Sequence, residues 1–176
     1  QNFRHIPANG INNEVWVQQY SGNSVEEAKA SDYYRAYGCL YSFGMAQQVA
    51  PEGWHLPSDA EWQELELLTG MTPEDVARDD DWRGSTNDRL KADTWEGLGA
   101  WSNTLEFNVH PAGKQWCGGA FQNCDELGFF WTSTINDHRS DGQLNPYYRF
   151  FSSGVATGRF SDFPSCVGMS VRYVMD

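Results

Sequence analysis

Long apolar runs are missing from this 176-residue chain. Its longest hydrophobic stretches fall far short of the ~20 residues that a membrane helix needs, so no span is expected. Basic residues are scarce. Twelve Lys and Arg face 24 Asp and Glu, giving a formal net charge of −12, which opposes nonspecific binding to nucleic acid or to an anionic membrane. Histidines are few, and His5, His55, His110 and His138 lack ligand spacing, so they suggest no metal site. The four cysteines, Cys39, Cys117, Cys124 and Cys166, form no C-x-x-C, which argues against zinc and leaves three pairings open. G-x-S-x-G, H-E-x-x-H and the P-loop are absent, as are internal repeats, low-complexity tracts and linkers, so no familiar catalytic motif is in view. No charged n-region precedes the start, and the expectation is a leader removed before residue 1.

What is present is apolar and aromatic: 40% of the chain is hydrophobic, and Phe, Trp and Tyr make up 15% of it. That composition argues against disorder, and the length suits one domain over residues 1–176. An even cysteine count on an acidic chain suits an oxidising compartment.

The stretch "PEGWHLPSDAEW", residues 51–62, carries the clearest local signal. Ser58 stands three residues before Glu61, a capping box. Asp59 and Glu61 fall in the first turn, where carboxylates meet the positive end of the helix dipole. Pro57 and Trp62 are spaced for a hydrophobic staple, and Gly70 marks the stop. The spacing predicts a helix over 58–69, with Trp62, Leu65 and Leu68 on its apolar face. Trp54 and His55 read as core residues on a short strand.

Ser24 before Glu27 is a second capping box, and Thr72-Pro73 opens a further short helix. "NEVWVQQYSG" and "YGCLYSF" read as strands, with helical turns at "GMAQQVA". "RDDDWRG" lacks the D-x-[DN]-x-[DN]-G spacing of a calcium loop and reads as solvated. After residue 95, "TLEFNVHPAG", "LGFFWTSTI", "YYRFFSSGVATGRF" and "GMSVRYVMD" read as strands between loops. Short helices followed by a β-rich half imply an α+β class.

These blocks, in this order, resemble the Fibrobacter succinogenes major paralogous domain family (FISUMP) over roughly residues 11–176. The carriers are "YGCLYSF", "PEGWHLPSDAEWQELELLTG", "FNVHPAG", "FFWTST", "YYRFF" and "GMSVRYV". The resemblance implies an exported bacterial protein at the cell surface or in the periplasm, often lipid-anchored through the removed segment. It implies a C-type-lectin-like fold related to formylglycine-generating enzymes, with short helices, a central antiparallel sheet that includes the C-terminal strand, and long loops. Where relatives carry Cys before "PEGW" and after "SVR", this chain has Ala50 and Tyr173. A replacement bridge between Cys39 and Cys166 is expected from that comparison, with Cys117 paired to Cys124 across "CGGAFQNC".

Trp82, Trp95, Trp101, Trp116, Tyr147 and Tyr148 lie in or beside irregular stretches, whereas Trp54, Trp62 and Trp131 sit in regular ones. Rigid aromatics on loops suit recognition. The function expected is a cell-surface binding or adhesion module for a glycan or protein ligand, contacted by Trp116, Asp137, Asp141, Asn145 and Tyr147. A calcium ion among Asp137, Asp141 and Asn145 is chemically compatible with the oxygen donors, but the spacing is not diagnostic, so no cofactor is expected. A spacer domain without a small-molecule site is the alternative. An enzyme akin to the formylglycine-generating oxidases ranks below both.

Overall fold

The computed structural model describes residues 2–11, 14–92, 95, 102–138 and 142–176. It is a mixed α+β fold of short helices, one larger antiparallel sheet and long loops.

The N-terminal half holds β1 (Val15–Trp16), α1 (Val25–Ala30), α2 (Asp32–Tyr37), β2 (Leu40–Tyr41), α3 (Phe43–Gln48), β3 (Trp54–His55), α4 (Asp59–Leu68), α5 (Pro73–Ala77) and β4 (Asp81–Arg83). Each described α-helix starts on a Ser or Thr whose side chain accepts a backbone N–H one turn in: Ser24, Ser31, Ser42, Ser58 and Thr72. Such caps satisfy donors that the helix itself cannot. The expected capping box at Ser58 and Glu61 is present in full.

The second half holds β5 (Lys114–Gln115), β6 (Phe121–Gln122), β7 (Gly128–Ile135), β8 (Pro146–Phe151), β9 (Thr157–Phe160) and β10 (Val174–Met175). The four-stranded sheet runs β4-β9-β8-β7, antiparallel throughout. The C-terminal strand is not in it, contrary to the sequence expectation. β10 pairs instead with β3 as a separate two-stranded ribbon, while Met169 and Ser170 reach Tyr41 and Phe130 through isolated bridges. "TLEFNVHPAG" also forms no strand. Positive φ at Glu106 and Asn108 breaks an extended run, and only isolated bridges remain, Val109 to Lys91 and Gly113 to Gly128.

Side chains alternate across the sheet with period two. One face carries Phe130 and Phe151, which pack with Trp62 of α4, Leu90, Trp95 and Val109. The other face carries Phe129, Trp131 and Tyr148, which join Val15, Val17, Tyr41, Phe43, Met169 and Val171. Trp131 is fully buried, and its indole N–H donates to the Tyr41 carbonyl at 2.9 Å.

The buried face of α4 differs from its hydrophobic pattern. Leu68 is 72% exposed, and the residues turned inward are Asp59, Trp62 and Glu66. Their spacing places all three on one stripe, and the sheet answers with three arginines. Asp59 accepts from Arg149 Nη1 at 2.7 Å and from Arg159 Nε and Nη2 at 2.9 and 2.7 Å. Glu66 Oε1 accepts from Arg83 Nη2 at 2.6 Å and Arg149 Nε at 2.7 Å. This network locks helix to sheet, because each ion removed from water needs its partner in place.

Candidate ligand-binding surface

The sheet face away from α4 is only partly covered. Aromatic rings follow one another from one edge of this face to the other. Trp82 on β4 packs against Phe150 on β8 with ring centroids 4.6 Å apart, and Phe150 stacks on Phe129 at 4.7 Å. Phe129 lies 6.1 Å from Phe163, and Phe163 meets Trp116 edge-on at 5.6 Å. Phe160 flanks the row beside Trp82 and Phe150.

Local sequence explains the geometry. Trp82 on β4 and Phe150 on β8 are both aligned with Gly158 on the intervening β9. A Cβ at 158 would stand 2.6 Å from the Phe160 ring and 3.0 Å from the Phe150 Cβ. The missing side chain thus lets the rings close over β9. At the far end, Lys114 holds its ammonium over the Phe129 and Phe163 rings, at 4.7 and 5.1 Å, a cation–π contact that orients both. Burial lowers the pKa of that lysine.

The two ends of the row are its exposed parts. Trp82 is 37% and Trp116 is 40% exposed, Phe150, Phe160 and Phe163 are half-buried, and Phe129 in the middle of the row is buried. Asp162 is exposed beside the row, its carboxylate accepting from the Tyr148 hydroxyl at 2.7 Å.

A disulfide pins the Trp116 end. Cys117 bonds to Cys166, with Cα atoms 4.8 Å apart, within the range a bridge can span. The expected pairs, Cys117 with Cys124 and Cys39 with Cys166, are both overturned. The reason lies in the register. Gln115 pairs with Phe121, so Cys117 stands at the hairpin tip and Cys124 beyond its base. The antiparallel bridge of Gln115 to Gly168 then brings Cys166 beside Cys117. Cys39 is buried next to β2, and both Cys39 and Cys124 are free thiols. Burial pushes each thiol pKa up to about 12, with Asp125 adding to the effect at Cys124.

The residues expected to form one binding site separate. Trp116 is exposed, as a contact residue must be. Asp137 is exposed too, its carboxylate 3.7 Å from the His138 ring. Asp141 lies outside the described residues, as does Trp101. Asn145 and Tyr147 are buried, which corrects their assignment as contact residues. Asn145 donates to the Gln143 carbonyl, and its own carbonyl accepts from the Asn136 N–H. Tyr147 faces α4 because it alternates with Tyr148 along β8. Its hydroxyl donates to Asp79 at 2.8 Å, and the Arg159 guanidinium lies over its ring at 4.4 Å. Asp79 also pairs with Arg159, and Asp81 with Arg78, so these two carboxylates of the aspartate run serve ion pairs. Among the described residues, no three His, Cys, Asp or Glu side chains group to hold a metal ion.

Trp54, expected in the core, is 43% exposed on β3. His55 is also partly exposed rather than core. Its Nδ1 lies 2.6 Å from Asp176 and its Nε2 2.8 Å from Glu61. Hydrogen bonds to Asp176 and Glu61 raise the imidazole pKa, and both ring nitrogens are engaged by carboxylates. Such a ring fastens β10 to α4 and has no nitrogen left for a substrate proton.

Among the described residues, no helix is long and apolar enough to cross a membrane. Neither a curated protein nor a solved structure matches the chain. The ordered blocks that build the sheet, the capped α4 and the β3–β10 ribbon do match a family description, over residues 1–175. The chain belongs to the Fibrobacter succinogenes major domain family.

Proposed function

We propose that this chain is a non-catalytic recognition domain of an exported, surface-displayed bacterial protein, with a C-type-lectin-like fold, binding an extended neutral glycan along the row from Trp82 to Trp116. The observation that carries the reading is the pair of exposed tryptophans at the two ends of a continuous aromatic row. The apolar faces of such exposed rings match the CH faces of sugar rings. The surrounding carboxylates, Asp162 among them, can accept from sugar hydroxyls. The net charge of −12 disfavours a polyanionic ligand. The tie of both His55 nitrogens to carboxylates, and the raised pKa of both free thiols, supports recognition over catalysis.

The test is calorimetry or affinity electrophoresis with soluble neutral polysaccharides, beside a glycan array. Trp82→Ala and Trp116→Ala should each weaken binding by roughly 1–3 kcal/mol, about 5–150-fold, with the melting temperature little changed. Unchanged affinity in the double variant would refute the site. Capture of a protein through the same tryptophans, with no glycan bound, would refute the ligand class.

A further inference from the structure

The block "GWHLP" was read from sequence as scaffold, yet its tryptophan is exposed. The turn at 51–54, closed by the Trp54 N–H on the Pro51 carbonyl and by Gly53 at φ +76, lifts Trp54 off the core. Its indole stands between two depressions. One, of about 250 Å³, is walled by Phe3, Pro51 and Tyr173 with Arg172. The other, of about 270 Å³, is lined by Gln47, Ala50, Trp54, His55, Leu56 and Ser133. The second joins an aromatic wall to polar groups of a particular kind. The Gln47 amide and the Ser133 hydroxyl make no hydrogen bond to any described residue, though each can both donate and accept. His55, the one ionisable group in the lining, is already committed on both nitrogens.

We propose that this depression is a second binding site, taking a single pyranose residue of a neutral glycan. Trp54 offers the face on which a sugar's CH groups pack, and Gln47 and Ser133 offer partners for its hydroxyls. A purely apolar ligand would strip water from those two side chains and return nothing, which costs affinity. An anionic ligand would find no uncommitted cation and would approach a surface of net charge −12. The volume, about 270 Å³, lies just below the range usual for drug-sized ligands, which suits one ring rather than a chain. None of these residues belongs to the Trp82–Trp116 row, so the site stands or falls independently of it.

The test is an NMR titration of the indole N–H signals with methyl pyranosides of the gluco, galacto, manno and xylo series, to tens of millimolar. The Trp54 signal should shift saturably with at least one of them, and Trp54→Ala should abolish binding. Gln47→Ala and Ser133→Ala should each weaken it about 3–10-fold. The Trp82→Ala/Trp116→Ala variant should bind the monosaccharide as the parent does. Should Trp54→Ala disturb the fold, Trp54→Gln with an unchanged melting temperature takes its place. A Trp54 signal unmoved by every pyranoside, or affinity that survives loss of the indole, overturns the proposal. Loss of the monosaccharide in Trp54→Ala, with polysaccharide binding kept, supports this site as separate from the aromatic row.

Discussion

Asp59→Asn probes the largest buried charge network in the described chain. The substitution keeps the shape of the side chain and removes its charge. The carboxylate accepts three bonds from Arg149 and Arg159, at 2.7, 2.9 and 2.7 Å, and one from Gln63 at 2.7 Å. An amide retains one acceptor oxygen and turns an NH₂ group toward the guanidinium donors. Breaking a buried pair while its partners stay in place costs roughly 3–5 kcal/mol. That is a large share of the 5–15 kcal/mol of net stability usual for a domain, and at this size it lowers the melting temperature by roughly 6–20 °C. Urea unfolding followed by circular dichroism gives the difference. Burial opposes ionisation of Asp59, but Arg159 and Arg149 outweigh it and hold its pKa below the ordinary 3.8. A group whose folded-state pKa is depressed contributes stability above its unfolded pKa, and that contribution is lost as pH falls through the folded value. The gap between parent and variant should therefore be full above about pH 5 and should close in acid. Adding Arg149→Met to Asp59→Asn should cost less than the two single losses together, because Asp59 and Arg149 are direct partners and each single loss already removes their shared bond. A loss below about 1 kcal/mol, or a gap that widens as pH falls, would refute the network's role.

Peptide mapping without reduction should show a single Cys117–Cys166 link, with Cys124 alkylated slowly in the native protein and Cys39 only after unfolding; a Cys117–Cys124 peptide would contradict the register argument. The imidazole of His55 should titrate above its ordinary 6.5 by NMR, because Asp176 and Glu61 favour its charged form. The clasp should then contribute most below that ordinary value and weaken as pH rises through the raised one, and a His55 titrating at or below 6.5 would remove the clasp from the account.

Local signals were legible in the sequence and long-range ones were not. The caps at Ser24, Ser58 and Thr72 act within four residues, so the spacing alone located them. β7 and β8 were visible as aromatic-rich runs, and the α+β class followed from the order of such runs. The inward face of α4 was misread because periodicity counts apolar residues, whereas Asp59 and Glu66 are buried only through arginines 17 to 100 positions away. Leu68 and Trp54 show the converse: apolar character cannot tell which residues the end of a helix or a turn leaves in solvent. Of the expected contact residues, Trp116 and Asp137 are exposed, while Tyr147 was assigned without the strand register that turns it inward. The row from Trp82 to Trp116 joins residues from β4, β7, β8, the β5–β6 hairpin and a late loop, and nothing in their spacing announces it.

The position of the Cys117–Cys166 bridge sets an order of events for a chain made from its N-terminus. Cys39, Cys117 and Cys124 emerge while Cys166 is still absent, and Cys124 offers Cys117 a much shorter loop than its native partner, which lies 49 residues on. Short loops close at the smaller entropic cost, so local pairing leads in any early oxidation. The native bond forms only once Gly168 lies against Gln115, which requires the late strands already in place. Oxidation therefore follows assembly rather than guiding it, and a chain oxidised too soon depends on thiol–disulfide exchange, with Cys124 as the leaving partner, to reach its final state.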